Sequence, residues 1–212
     1  MTRGVRNTVL LCLAFAALVI GAFVSNVMRE PLLDVEALRE QGTFVLPEPR
    51  ALSLAGLVDQ TGAPFDESDL VGHWSFVFFG FTSCPDVCPV ALSALAQVEK
   101  KLAGDSKLHD QFRGVFVSVD PDRDDLAKIS AYVSAFSPRF LGVTGDQASL
   151  AAFATQVNAA FMKVPGQGAD YLIDHTANIV VINPRGHYHA FIRLPHEPDK
   201  ILLAYRSIAA AF

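Results

Sequence analysis

The sequence predicts an α/β domain, a mixed central sheet flanked by helices, carried behind one N-terminal transmembrane helix. From Leu52 onward, short apolar runs alternate with amphipathic helical patterns, the order in which helical crossovers leave strands parallel. Near the end, two strand-like runs joined by Asn183-Pro184-Arg185-Gly186 form a hairpin, which must add antiparallel strands to that sheet. At the start, Thr8 to Val24 holds no charge. Extended through Met28, the run is about 20 residues long, enough to cross about 30 Å of hydrocarbon.

The chain has 212 residues, 51% of them hydrophobic, which suits one domain with a sizeable core plus an appendage. A net charge of -5 and the lack of a basic stripe argue against nucleic acid as a partner. Residues 1–28 are read as a membrane anchor, 29–49 as a charged, proline-punctuated linker with a short helix around Val35 to Glu40, and 50–212 as the domain. Arg3 and Arg6 precede the apolar run, whereas Arg29 is offset by Glu30, Asp34 and Glu36. The positive-inside bias therefore places the N-terminus in the cytoplasm and the domain beyond it, on the periplasmic side of a bacterial inner membrane. The rival is a cleaved signal peptide, but no clean small-x-small site lies near the end of the run, and Val24-Ser25-Asn26 is a poor candidate. A mitochondrial transit peptide would need a longer, Arg- and Ser-rich lead. Cys12 reads as one more apolar membrane residue.

Within the domain, Leu52 to Val58 alternates like a strand and turns at Asp59 to Gly62, and Asp66 to Leu70 reads as a helical turn. Ser75 to Phe79 is continuously apolar, as expected of a central strand covered on both faces. Leu92, Leu95, Val98 and Leu102 then recur at helical spacing, with Gly104 as a stop. Val115 to Val119 is the next strand, after which Asp122 and Asp124 are positioned to cap a helix carrying Leu126, Ile129, Val133 and Phe136. Phe140 to Val143 is a short strand, and Asp146 caps a helix with Leu150, Phe153 and Val157. A glycine-rich loop, Pro165 to Asp170, leads to His175. Asn178 to Ile182 and Tyr188 to Ile192 are the hairpin strands, and Asp199 to Ala211 is a closing amphipathic helix. A cysteine pair after the first core strand of such a sheet makes the plan thioredoxin-like.

That pair, Cys84 and Cys88 in FGFTSCPDVCP, is where the chemistry concentrates. Each cysteine precedes a proline, which disfavours helix at the cysteine itself. The helix is therefore expected to start with Pro89 in its first turn and Cys88 as N-cap. A thiol there feels the helix dipole, which lowers its pKa and populates the thiolate. Thiolate serves both disulfide exchange and metal binding, and outside the cytoplasm the pair drifts toward a disulfide unless it is kept reduced. A structural staple would close too short a loop to gain much chain entropy. Structural zinc would need four ligands, and the chain lacks a second cysteine pair. Two thiolates with one imidazole suit copper. His175 is the candidate imidazole, because it lies on the loop where a sheet of this type returns beside the cysteines. His187 and His189 lie on one strand face and could make a surface metal pair, the less favoured choice. His73, His109 and His196 read as surface histidines.

FGFTSCPDVCP, SVDPDRD (Ser118 to Asp124) and DHTANIVVINPRG (Asp174 to Gly186) together resemble the Sco/SenC family, over about Leu52 to Ala209. The resemblance implies a membrane-anchored, thioredoxin-like copper protein that helps assemble the CuA centre of cytochrome c oxidase. It also implies that Cys84, Cys88 and His175 bind the copper, with Asp86 and Asp120 in supporting places. The implied partners are the CuA-bearing oxidase subunit, a copper donor and a thiol reductant. Thioredoxins proper carry CxxC and face it with a cis-proline, whereas here the corresponding loop offers His175-Thr176. The same cysteine pair could instead reduce the disulfide of the oxidase CuA cysteines, or act as a redox or copper sensor. All of these roles need accessible thiols of low pKa.

Overall fold

The computed structural model describes residues 3–27, 32–164 and 171–212. Met28, expected to end the anchor, and the glycine-rich loop at 165–170 lie outside them. Two compact units result, Met1–Leu32 and Leu33–Phe212. In the first, helix α1 (Arg3–Val27) contains the stretch Gly4–Phe23 with a mean hydropathy of 2.0, long and apolar enough to cross a membrane.

The second unit opens with α2 (Val35–Glu40), capped by Asp34, whose carboxylate accepts from the Ala37 amide at 2.9 Å. Strand β1 (Thr43–Ala51) follows and pairs antiparallel with β10 (His187–Ile192). Much of the stretch expected as linker, residues 43–49, is therefore an edge strand. Pro47 and Pro49 read as linker punctuation, but edge strands and bulges tolerate proline, and the β1 register shifts between Val45 and Arg50. The strand expected from Leu52 is confined to β2 (Leu57–Asp59). Gly56, at φ +71°, turns the chain just before it, and Leu52 and Leu54 are buried from irregular chain instead.

The remaining strands are β3 (Pro64–Phe65), β4 (Trp74–Gly80), β5 (Phe112–Ser118), β6 (Leu141–Gly145), β7 (Phe161–Lys163), β8 (Ile173–His175) and β9 (Ile179–Ile182). The main sheet has the order β1-β10-β9-β4-β5-β6-β2-β3 among the described residues, and β7 and β8 form a separate two-stranded sheet. β4, β5 and β6 are parallel, while β9 joins β4 antiparallel, so the sheet is mixed as expected. Every residue of β4 is buried, and its side chains alternate between two cores. Trp74, Phe76 and Phe78 pack with α3 (Val87–Lys101) and α7 (Pro198–Ala211). Val77 and Phe79 pack with α6 (Gln147–Gln156) on the other face. Burying one such phenylalanine contributes about 1.5–3 kcal/mol, so β4 is fixed firmly and its C-terminal end is a rigid base for the cysteine loop.

Two helices differ from expectation. A short α4 (Ser106–Gln111) precedes β5, and α5 (Leu126–Ser134) is capped by Asp125, which accepts from the Lys128 amide at 2.8 Å. Asp124, expected as a cap, is turned inward instead.

Candidate metal centre

β4 ends at Gly80, and the loop that follows carries Cys84, whose amide donates to the Phe81 carbonyl at 3.1 Å. Helix α3 starts at Val87 with Asp86 as N-cap. Cys88 is therefore inside the first turn rather than at the cap. Pro89 is tolerated one residue on, because amides of the first turn have no intrahelical acceptor and a missing N–H there costs little. Cys88 is completely buried. Its sulfur lies over Gly80, where an added Cβ would come within 2.7 Å of Sγ. Only glycine leaves room there, and sequence reading did not single it out.

His175 ends β8 and arrives from the far side. Its Nε2 lies 3.5 Å from Cys88 Sγ, and one donor atom from each of Cys84, Cys88 and His175 falls within 4.8 Å of the others. The imidazole stands edge-on to Phe78 and Phe81, with ring centroids 5.7 and 6.1 Å away. Its Nδ1 lies 3.3 Å from the Thr176 carbonyl, an acceptor only. Nδ1 is thus the nitrogen engaged with the backbone, which leaves Nε2 as the one directed at the sulfurs. A cavity of about 250 Å³ opens beside His175, lined by Phe161, Met162 and Asp174 among others.

Both thiols are reduced and unequal. A hydrogen bond from the Cys88 thiol holds the Cys84 pKa down to about 4; His175 and the amides of Asp86 and Cys88 add to this, and burial opposes it. Cys88 is pushed up by the same bond and by its burial. The pair thus holds one proton, on the buried sulfur, while Cys84 presents a half-exposed thiolate. A metal ion held by both sulfurs would have to displace that last proton, so its binding would strengthen as pH rises.

The supporting acids separate. Asp86 is exposed, makes no side-chain cap bond and is not part of the donor cluster. Asp120 is fully buried; Arg123 Nε donates to its carboxylate at 2.5 Å and the Tyr171 hydroxyl donates to the other oxygen. Asp124 accepts from the Thr82 amide (2.8 Å), the Thr82 hydroxyl (2.5 Å) and the Ser118 hydroxyl (2.6 Å), tying the cysteine loop to the end of β5. Asp124 and Tyr171 went unrecognised in sequence because their partners are 42 and 51 residues away.

Among the remaining histidines, His196 corrects its surface assignment. It is 6% exposed, and its Nε2–H donates to the Ala177 carbonyl at 2.8 Å, just beyond His175. His189 is half-buried with its ring edge against Trp74, and neither it nor His187 joins a cluster of three donors among the described residues. His73 accepts from Arg113 Nη2 at 2.8 Å, and His109 contacts Arg139.

Known proteins place this arrangement in a family. The SCO1/SenC family model matches residues 56–210. The human protein SCO2 homolog, mitochondrial, is 31% identical over 218 aligned positions, covering 99% of this chain and 77% of its own. The crystal structure of Arabidopsis thaliana ScoI with copper bound superposes with a TM-score of 0.67 at 30% identity, over 77% of this chain and 98% of that one. Bradyrhizobium japonicum ScoI with copper bound gives 0.63 at 33% identity, over 75% and 96%. The sheet order, the three sequence motifs and the convergence of Cys84, Cys88 and His175 agree with that match: the chain belongs to the SCO1/SenC family.

Proposed function

We propose that this chain is a membrane-anchored copper chaperone that holds one copper ion on Cys84, Cys88 and His175 and helps assemble the CuA centre of cytochrome c oxidase. The observation that carries the reading is the convergence of two sulfurs and one imidazole nitrogen within 4.8 Å. Thiolates suit Cu(I), and an added imidazole suits Cu(II), so one site accommodates both oxidation states. Three donors leave coordination positions open, which ligand-exchange transfer to a partner's cysteines requires. In this reading α1 spans the inner membrane once, with its N-terminus in the cytoplasm and the domain on the periplasmic side. The oxidase CuA subunit receives the copper, a separate protein supplies it, and a thiol reductant keeps the pair open.

A second reading is favoured by the inequality of the thiols. A half-exposed Cys84 thiolate beside a protonated Cys88 is the arrangement of an attacking and a resolving thiol, suited to reducing the oxidase CuA disulfide. One experiment separates the readings. The full chain in detergent is titrated with copper in its reduced and oxidised states, beside Cys84→Ser and His175→Ala. The chaperone reading expects one ion per reduced chain, lost in Cys84→Ser and weakened in His175→Ala. Equal binding by all four samples would refute it. Turnover of an oxidised CuA-domain disulfide with a thiol donor supports the reductase reading, and its absence counts against it.

A further inference from the structure

His175 comes from a two-stranded sheet that is not hydrogen-bonded into the main one. Its partner strand β7 and the turn beyond hold it from one side: the Thr176 amide donates to the Ala160 carbonyl at 2.8 Å, and Thr176 Oγ1 accepts from the Ala160 amide at 3.0 Å. These bonds lie within the hairpin and do not fix its distance from the cysteines. A second group of contacts does. Arg123, on the loop after β5, has its guanidinium carbon 3.7 Å from the centroid of Tyr171, at the base of β8, and 5.7 Å from that of Phe81 in the cysteine loop. Lys163, on β7, lies 4.5 Å from the same Tyr171 centroid and pairs with Asp122 at 2.5 Å.

An Asp–Arg pair three residues apart could simply close the turn at Asp120 to Asp124. Two facts argue for more. Asp120 is fully buried, and its second oxygen accepts from the Tyr171 hydroxyl, outside Arg123's own segment. Arg123 also keeps Nη2 buried with no hydrogen-bond partner among the described residues. A guanidinium serving only the turn could rotate that nitrogen into solvent; here it is held against two aromatic rings.

We propose that Arg123 is a positioning residue for the metal centre: with Asp120 it clamps Tyr171, and so holds the β7–β8 hairpin and its His175 imidazole against the cysteine pair. This rests on the copper reading above and adds a division of labour to it. Cys84 and Cys88 are held by α3 and by the Asp124 bonds to Thr82 and touch the clamp through the Phe81 ring, whereas His175 is reached through Tyr171 itself. Loosening the clamp removes the imidazole and spares the thiolates, so Cu(II) binding suffers and Cu(I) binding persists.

The test compares Arg123→Gln, Arg123→Lys and Tyr171→Phe in the full chain in detergent. Cu(II) is followed by its thiolate charge-transfer absorption and nitrogen hyperfine coupling, and Cu(I) by competition with a chelator. Arg123→Gln is expected to weaken Cu(II) about 10- to 100-fold, as loss of an orienting partner does, with weaker nitrogen coupling. Cu(I) affinity should stay within about threefold, since the soft thiolates suffice for it. Arg123→Lys retains the charge without the planar fork and should fall between, and Tyr171→Phe keeps the stacked ring and should lose less than Arg123→Gln. In a His175→Ala background, Arg123→Gln should cost no further Cu(II) affinity. Unchanged Cu(II) affinity, or an equal loss in that background, would overturn the proposal. A copper-free arm keeps it separate from the copper reading: the NMR ring-proton shifts of His175, set by the edge-on Phe78 and Phe81 rings, should move toward free-imidazole values in Arg123→Gln while β4 amides stay protected from exchange. Unaltered His175 ring shifts overturn the clamp; failure of the unsubstituted chain to bind either copper ion overturns the copper reading instead.

Discussion

Replacing Gly80 by alanine adds one methyl group at the floor of the metal centre. Gly80 has an ordinary strand backbone, so in open space the change would stabilise the protein by about 0.4–1 kcal/mol by restricting the unfolded chain. The space is not open. The new Cβ would lie 2.7 Å from Cys88 Sγ and 3.0 Å from Phe116 Cε2, where ordinary contact begins at 3.4 Å. The sulfur must retreat by 3.4 − 2.7, or 0.7 Å. Cys88 is fully buried at the start of α3, and Phe116 is a β5 core residue, so neither yields freely. Overpacking of this kind costs about 1–3 kcal/mol, which outweighs the backbone gain and leaves a net loss of about 1–2 kcal/mol. The shift also exceeds the roughly 0.5 Å within which a ligand set must be held, so Cu(I) affinity should fall about tenfold or more. Thermal unfolding and chelator competition on Gly80→Ala, alone and with Cys88→Ala, measure both effects. With the sulfur gone, Gly80→Ala should cost about 1 kcal/mol less. Equal destabilisation in the two backgrounds would refute the sulfur contact as the cause.

Two further outcomes are expected. Alkylation of Cys84 in the reduced, copper-free chain should hold its rate as pH falls from neutrality to about 5 and drop with a midpoint of about 4, because a depressed pKa keeps the thiolate present above that value. Cys88→Ala removes the main donor and should move the midpoint up; a midpoint near the ordinary thiol value in the unsubstituted chain would rule out the one-proton pair. Asp124→Ala strands the Thr82 amide and two hydroxyls and should cost about 3 kcal/mol, against about 1 kcal/mol for the exposed cap Asp125→Ala. Urea unfolding of the two variants checks the ranking, and equal costs would argue against Asp124 as the anchor of the cysteine loop.

The features legible in the sequence are those encoded locally. The apolar run of β4, the helical spacing of Leu92, Leu95 and Val98, and the cysteine–proline pattern each reveal an element within a few residues. The mixed sheet followed from their alternation. His175 could be chosen because topology returns its strand to the cysteine loop, and the motif match reinforced the choice. What stayed hidden depends on distant partners. Asp124 looks identical in sequence to the capping Asp125, and its bonds to Thr82 and Ser118 distinguish them. His196 looked polar enough for the surface until the Ala177 carbonyl gave it a reason to be buried. Cys88 was placed two positions too early, at the cap rather than within the first turn, because the proline rule constrains mid-helix residues more strongly than those of a first turn.

The sheet ends where other chains would have to join it, and both of its outer strands contain proline. β1 holds Pro47 and Pro49 in the stretch where its pairing with β10 slips, and β3 at the opposite margin is only two residues long, the first of them Pro64. Each proline withholds an N–H that an incoming strand would need, and a two-residue strand offers almost no template. Copies of this domain brought to high local concentration would therefore meet without a ready seam for strand-to-strand association. The same residues that made the approach to the domain resemble a loose tether thus help keep neighbouring copies separate.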